Sequence, residues 1–272
     1  MKAIKQGLIS AAIMGIVLLW LSPIVWIFLT SLKTRTEILA TTPVFLFIPS
    51  LDSYAAVFSD PGFWRAMANS IFYAIVGGGI GVTLSIPAAY ALVRAKIPFR
   101  STIAFGFLWI RMMPAIAILL PFYVLYRNLG LLNTHAGMLI VHIGGSIPIA
   151  VWLLTGFIEE LPVEIEDASL VDGCTHLQMI RYILLPVLLP GIAATAIFVF
   201  IFAWNDFIFA AFLTTGAAKS VPAYMSATYL SLGTTEWANI SGASIVYSAP
   251  LVIVFMLLQR HLVKGMTAGA IK

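Results

Sequence analysis

Six of the eleven carboxylates in this 272-residue chain fall between Glu159 and Asp172, and so dense a cluster invites a chemical reading first. General acid–base or hydrolytic work needs a facing dyad, or a nucleophile with a base beside it, and neither pattern is in evidence along the chain. The histidines His135, His142, His176 and His261 are not spaced as metal ligands. The run Gly77–Gly81 (GGGIG) lacks the Lys and Ser/Thr that a phosphate-binding loop requires. It sits in apolar sequence, where small residues serve close helix packing. Recognition remains. The segment Glu164–Gly173 (EIEDASLVDG) has the form of a short acidic helix ended by a glycine, suited to the grip of a soluble partner. Arg111 and Asp206 are charges within apolar stretches, which by default face a buried partner or a water-lined path. Trp204, Asn205, Asp206 and Phe207 join aromatic faces, which stack on sugar CH surfaces, to groups that bond hydroxyls.

The elements that carry these residues belong to a membrane. The chain is 61% hydrophobic and 10% charged, with a mean hydropathy of +1.02. Soluble domains carry about a quarter charged residues. One cysteine, Cys174, excludes an internal disulfide. The uncharged stretch between Lys5 and Lys33 holds 27 residues. That exceeds a signal-peptide core of roughly 7–15, so it is expected to stay as a first span. A crossing needs about 20 apolar residues. Reading between charges predicts an all-α integral membrane protein, one transmembrane domain over 1–272. Its six spans lie near 8–32, 68–92, 102–126, 136–158, 188–212 and 239–259. Pro87, Pro114, Pro121, Pro148 and Pro250 fall inside them, which bundled membrane helices tolerate.

Six spans place both termini on one side. With that side inward, the cytoplasmic set is Lys2, Lys5, Arg94, Lys96, Arg100, Arg181, Arg260, Lys264 and Lys272. The outward set is Lys33, Arg35, Arg65, Arg127 and Lys219. The excess favours cytoplasmic termini. It sends the loop 159–187 into the cytoplasm and the connections 33–67 and 213–238 outward, the first expected to form an ordered cap.

Within the loop, Pro162 suits a first helical turn, and Glu164, Glu166 and Asp167 then favour the N-terminal half. Leu161, Ile165, Ala168 and Val171 form an apolar stripe opposite the acids, and Asp172 and Gly173 stop the helix. A second short helix is expected from about His176 to Leu184, before Pro186. An amphipathic connector on the bilayer surface and a docking element both fit this pattern. Surface-lying helices prefer basic polar faces, and this one is acidic, which favours a protein partner.

The spacing Asp167-Ala168-Ser169, Gly173, then Ile183, Leu185 and Pro186 resembles the signature of importer permeases of the ABC superfamily. There the acid is Glu and the third residue Ala; both departures here keep the residue's character. Other stretches resemble the second permease of carbohydrate importers, the MalG-like branch. They are Ser31–Lys33, Asn69–Ser70, Ala88–Leu92, Arg111–Pro114, Asn128–Asn133, Trp204–Asp206 and Gly265–Lys272.

The resemblance implies a type I ABC importer (MetI/MalG-like) permease fold. Its partners would be a sister permease, a cytoplasmic ABC ATPase dimer, an extracytoplasmic solute-binding protein, the lipid bilayer and a sugar or polyol, with no nucleic acid. No cofactor belongs to this chain; ATP and magnesium would be bound by the ATPase. The coupling residues would be Glu164, Glu166, Asp167, Ala168, Ser169, Asp172 and Gly173, with Glu166 and Asp167 pairing to basic groups of the ATPase. The solute path would take in Arg111, Trp204, Asn205, Asp206 and Phe207. The competing reading is an ion-coupled carrier working alone, with Arg111, His142 and Asp206 handling charge. A lone carrier has no reason to keep the acidic loop.

Overall fold

The structure, a computed structural model, describes residues 2–230 and 235–268. The end of the tail match, residues 269–272 with Lys272, lies outside the described residues, as do 231–234 of the second outward connection. Every regular element among the described residues is helical: α1 (Lys2–Ser31), α2 (Arg35–Ile38), α3 (Asp52–Phe58), α4 (Pro61–Arg94), α5 (Arg100–Met112), α6 (Ala115–Asn128), α7 (His135–Glu159), α8 (Val163–Val171), α9 (His176–Trp204), α10 (Ile208–Leu213), α11 (Val221–Tyr229) and α12 (Trp237–Ala268). Among the described residues five helices are long and apolar enough to cross a bilayer, and a sixth crossing is completed if α5 and α6 count as one.

Two of the expected spans differ from the helices found. Residues 102–126 do not form one rod, because α5 and α6 meet at 89°. Pro114 has no amide to continue the ladder, and Met113 before it takes the extended conformation that a following proline imposes (φ −67°, ψ 126°). The helix of the fifth expected span, α9, begins at His176 and stops at Trp204, so Asp206 is not mid-helix. Asn205 caps it, its amide donating to the Ile201 carbonyl, while an Asp206 carboxylate oxygen accepts from the Phe209 amide and starts α10. Short polar side chains compete with the helix for backbone groups in just this way.

The helices gather into two compact units, Met1–Trp64 with Met225–Ala249, and Arg65–Tyr224 with Pro250–Lys272. In the first, the segment after α1 is an ordered cap, as expected. The Ser53 hydroxyl donates to the Ser31 carbonyl, the Ser50 amide to the Leu32 carbonyl, and Ser31 shares a bond with the Tyr54 hydroxyl. Lys33 lies over Trp26 and Phe47, its ammonium 5.0 and 5.1 Å from the ring centres. Thr34 and Glu37 form a capping box on α2, and the Thr34 hydroxyl, helped by its amide, holds the Glu37 carboxyl below the usual carboxylate range.

In the second unit, the Tyr73–Arg94 part of α4 packs along α7 with α9 against both. Three buried clusters run down the bundle. Tyr73, Tyr126 and Met138 meet Ala210 and Leu213 at one end. Val82, Ala150 and Val199 fill the middle. Ala89, Leu154 and Ile158 meet Met179, Leu184 and Leu188 beneath the acidic loop. The glycine run on α4 sets the helix spacing. A Cβ on Gly81 would stand 2.5 Å from the Ser146 Cβ, whereas one on Gly79 would meet nothing within 4 Å. Gly81→Leu is therefore expected to cost about 1–3 kcal/mol by overpacking. It should lower the melting temperature of the detergent-purified protein by several degrees, and Gly79→Leu should leave it unchanged. Equal melting temperatures for the two variants would refute this account of the run.

Candidate functional site

The acidic loop is built by its breakers. Pro162, extended at ψ 131°, sits one residue ahead of α8 at the N-cap and not inside its first turn. Glu164 and Glu166 follow in that turn, where carboxylates complement the helix dipole. At the other end the Gly173 amide donates to the Leu170 carbonyl and the Cys174 amide to the Ser169 carbonyl. These two bonds make a Schellman cap, and Gly173 meets its left-handed requirement with φ +87°. Thr175 and Gln178 then form a capping box that starts α9. The short second helix and the following span are one continuous helix, contrary to expectation. A π turn over Ile180–Leu184 precedes Pro186 and loosens the ladder where the proline would break it.

Burial on α8 does not follow the apolar stripe. Glu166 and Ser169 are buried, while Ala168, Ile165 and Val171 of the apolar stripe are exposed, Val171 by 87%. Charge neutralisation explains how Glu166 can be buried. Arg94, the last residue of α4, donates Nε–H to Glu166 Oε1 at 2.7 Å, and the Tyr90 hydroxyl donates to Glu166 Oε2 at 2.9 Å. Arg94 Nη2 also donates to the carbonyls of Ile158 and Leu161, near the end of α7. Glu166 is thus not open to the basic group of another subunit, and Ser169 spends its hydroxyl on the Glu166 carbonyl. Glu164, Asp167, Ala168, Asp172 and Gly173 do face outward, and Val171 and Leu177 are exposed as well, Leu177 by 75%.

The membrane charges are not gathered into one set. The Arg111 guanidinium lies 3.5 Å from the centre of the Phe202 ring, a cation–π contact, and its Nη2 is buried without a partner. Asp206 instead approaches His142, Oδ2 to Nε2 at 3.9 Å, and neither atom has a hydrogen-bond partner. His142 is packed flat on Tyr73, with ring centres 5.5 Å apart. No ion pair joins Arg111 to Asp206 among the described residues, so two of the three charges of the ion-carrier reading meet and the third does not. Of the aromatic group, Trp204 is 1% exposed and stacked on Phe200 at 5.3 Å, a core residue whose ring cannot face a sugar. Asn205 and Phe207 are exposed.

Sequence reasoning missed the roles of Arg94 and Tyr90. Arg94 entered only as one of the basic residues at a span end, although its i, i+4 spacing from Tyr90 puts both on one face. It also quoted Asn69, Ser70 and Asn133 without a task for them. Asn69 Nδ2 donates to the carbonyls of Ala217 and Lys219, Ser70 accepts from the Val221 amide, and Asn133 Oδ1 accepts from the Gly216 amide. Together they staple the segment after α10 to the bundle.

Residues 81–268 match the family described as binding-protein-dependent transport system inner membrane component. The probable ABC transporter permease protein y4oR of Sinorhizobium fredii is 34% identical over 93% of this chain and 91% of its own. The trehalose transport system permease SugB of Mycobacterium tuberculosis is 33% identical, covering 100% and 98%. The trehalose/maltose permease MalG of Thermococcus litoralis is 31% identical, covering 97% and 95%. Among solved structures, a bacterial ABC transporter involved in alginate import shares the fold with a TM-score of 0.77 at 24% identity, over 94% of this chain and 96% of that one. The MetNI methionine ABC transporter does so at 0.58 and 18%, over 73% and 92%. With several apolar spans, an acid–glycine loop packed beneath them and relatives matched along nearly its whole length, this chain belongs to the inner-membrane permeases of binding-protein-dependent ABC importers.

Proposed function

We propose that this permease imports a sugar or sugar alcohol, and that the chain acts as one permease domain paired with a sister permease. A cytoplasmic ABC ATPase dimer supplies the energy, binding ATP and magnesium on its own subunits, and an extracytoplasmic binding protein delivers the solute. Both termini lie in the cytoplasm. The observation that carries the reading is the outer face of α8, where Val171 and Ala168 stand uncovered among Glu164, Asp167 and Asp172, with Leu177 exposed at the start of α9. Exposed apolar side chains rimmed by acids fit a protein cleft, and the acids are repelled by anionic lipid headgroups. The trehalose and maltose in the names of two relatives support the solute class.

The mechanism is a rigid-body switch. Closure of the ATPase pair carries the docked α8 with it, and the spans rock between inward-facing and outward-facing states. The solute path draws on Arg111, Asn205, Asp206 and Phe207, with Trp204 supporting them from the core. The ion-carrier alternative retains one support, the unsatisfied His142–Asp206 approach. Proteoliposomes containing both permeases and the ATPase, supplied with the binding protein and radiolabelled disaccharides, polyols or glycerol phosphate, test the choice. Uptake that needs ATP hydrolysis is expected, and uptake driven by a proton or sodium gradient alone would refute it. Orientation has its own test, because Cys174 is the chain's single thiol. An impermeant maleimide is expected to label it in inverted vesicles and not in sealed cells; labelling from outside would reverse the topology.

A further inference from the structure

The α8 helix has nine residues and is flanked by two breakers, Pro162 before it and Gly173 after it. Such a lever, pushed near Val171, would pivot about Pro162 unless something fixed it to the spans. The described residues offer two ion pairs near it. Arg100–Glu159 is 2.7 Å long, but its side chains are 44% and 56% exposed, and it does not touch α8. Exposed pairs of this kind hold little. Arg94–Glu166 is equally short, with side chains only 15% and 9% exposed, and its Glu lies on α8. Both oxygens of that carboxylate are taken by α4, one by Arg94 and one by Tyr90, which fixes the direction of the side chain as well as its position. The same guanidinium holds the carbonyls of Ile158 and Leu161. One planar fork therefore joins α4, the end of α7 and α8, a task for which lysine has no equivalent geometry.

We propose that Arg94 is the positioning residue that makes α8 move as one body with α4 and α7, so that force received on the outer face of α8 reaches the solute path. Glu166 serves this internal joint; Glu164, Asp167 and Asp172 are left for the partner. The inference rests on the importer reading above and deepens it. Its signature is uncoupling: ATP consumed without solute moved.

The test uses the assembled transporter in proteoliposomes, reading solute moved per ATP hydrolysed for wild type, Arg94→Met, Glu166→Met, the double variant, Arg94→Lys and Tyr90→Phe. Arg94→Met and Glu166→Met are each expected to insert, retain the ATPase and move at least tenfold less solute per ATP. Each also leaves a buried charge alone, so each should melt earlier in detergent. The double variant removes both charges and is expected to regain thermal stability. It should remain uncoupled, which a merely structural pair would not. Recovery of wild-type coupling in the double variant overturns the proposal, as does wild-type coupling in Arg94→Met. Should Arg94→Met fail to insert, Arg94→Lys decides: a roughly threefold or greater loss of coupling supports the joint, and wild-type coupling refutes it. Tyr90→Phe should lose about twofold, and an unchanged ratio there with a normal Arg94→Lys also refutes it. A wild-type complex that shows no ATP-driven uptake overturns the importer reading itself, and is told apart by needing no variant.

Discussion

Val171→Asp is expected to reduce ATP-driven uptake to background while the protein still inserts and folds. Val171 is 87% exposed in the last turn of α8, so the substitution removes little internal packing, and changes at such sites shift stability by only about 0.5 kcal/mol. The loss falls on the docked state. Covering a valine side chain contributes roughly 1.5–3 kcal/mol. A carboxylate carried into the same cleft without a partner adds a desolvation cost of its own. A combined loss of about 2 kcal/mol or more corresponds to docking weakened ~30-fold or beyond. Leu177, 75% exposed at the start of α9, should give a smaller decrease when changed to Asp. Asp167→Asn should act mainly on the association rate and fade at high salt, as expected of a rim charge. Co-purification of the ATPase with the permease reads the docking, and radiolabelled uptake reads the consequence. Undiminished uptake by Val171→Asp would mean that the ATPase grips some other surface.

Much of this surface was legible in the sequence, because its limits are set by residues with special backbones. Proline and glycine announce themselves: Pro162 and Gly173 bound α8 almost where expected, and the next helix starts at His176 as expected, on a Thr175–Gln178 capping box that the sequence reading did not use. Periodicity also found the stripe Leu161, Ile165, Ala168 and Val171, but not the way it would turn. Periodicity reports which residues share a face, and the direction of that face depends on what the rest of the chain offers. Here Arg94, 72 positions away in sequence, offers a cation that makes a buried glutamate affordable. No local window contains that fact. The prolines teach the same lesson. Pro87, Pro148 and Pro250 sit within continuous helices, whereas Pro114 turns the chain by 89°. The difference lies in Met113, which is extended and so leaves the helix before the proline. Likewise Trp204 carried the chemistry of a sugar platform in its side chain, but its burial against Phe200 is a property of the fold alone.

Gly173→Val should also abolish uptake, and by a different physical route. No steric clash is involved, since a Cβ at Gly173 would meet nothing within 4 Å. The cost is conformational: at φ +87° an L-residue pays about 1–2 kcal/mol, and a β-branched one more. The chain can relieve that strain only by leaving the left-handed region. Doing so breaks the bonds from Gly173 to Leu170 and from Cys174 to Ser169 that close α8. The turn then no longer presents Val171 and Leu177 together, although they stand on different helices and must be met by one partner. Insertion should be unaffected, because the change alters neither the hydropathy of any span nor the distribution of basic residues. Asparagine visits the left-handed region more readily than other non-glycine residues, so Gly173→Asn is expected to retain much of the uptake and Gly173→Ala an intermediate share. The order Gly, Asn, Ala, Val in radiolabelled uptake, at equal amounts of inserted protein, is the pattern that conformation dictates. An order following side-chain volume would instead show that the partner's cleft closes tightly over this position, and that the backbone of the turn is not what the glycine protects.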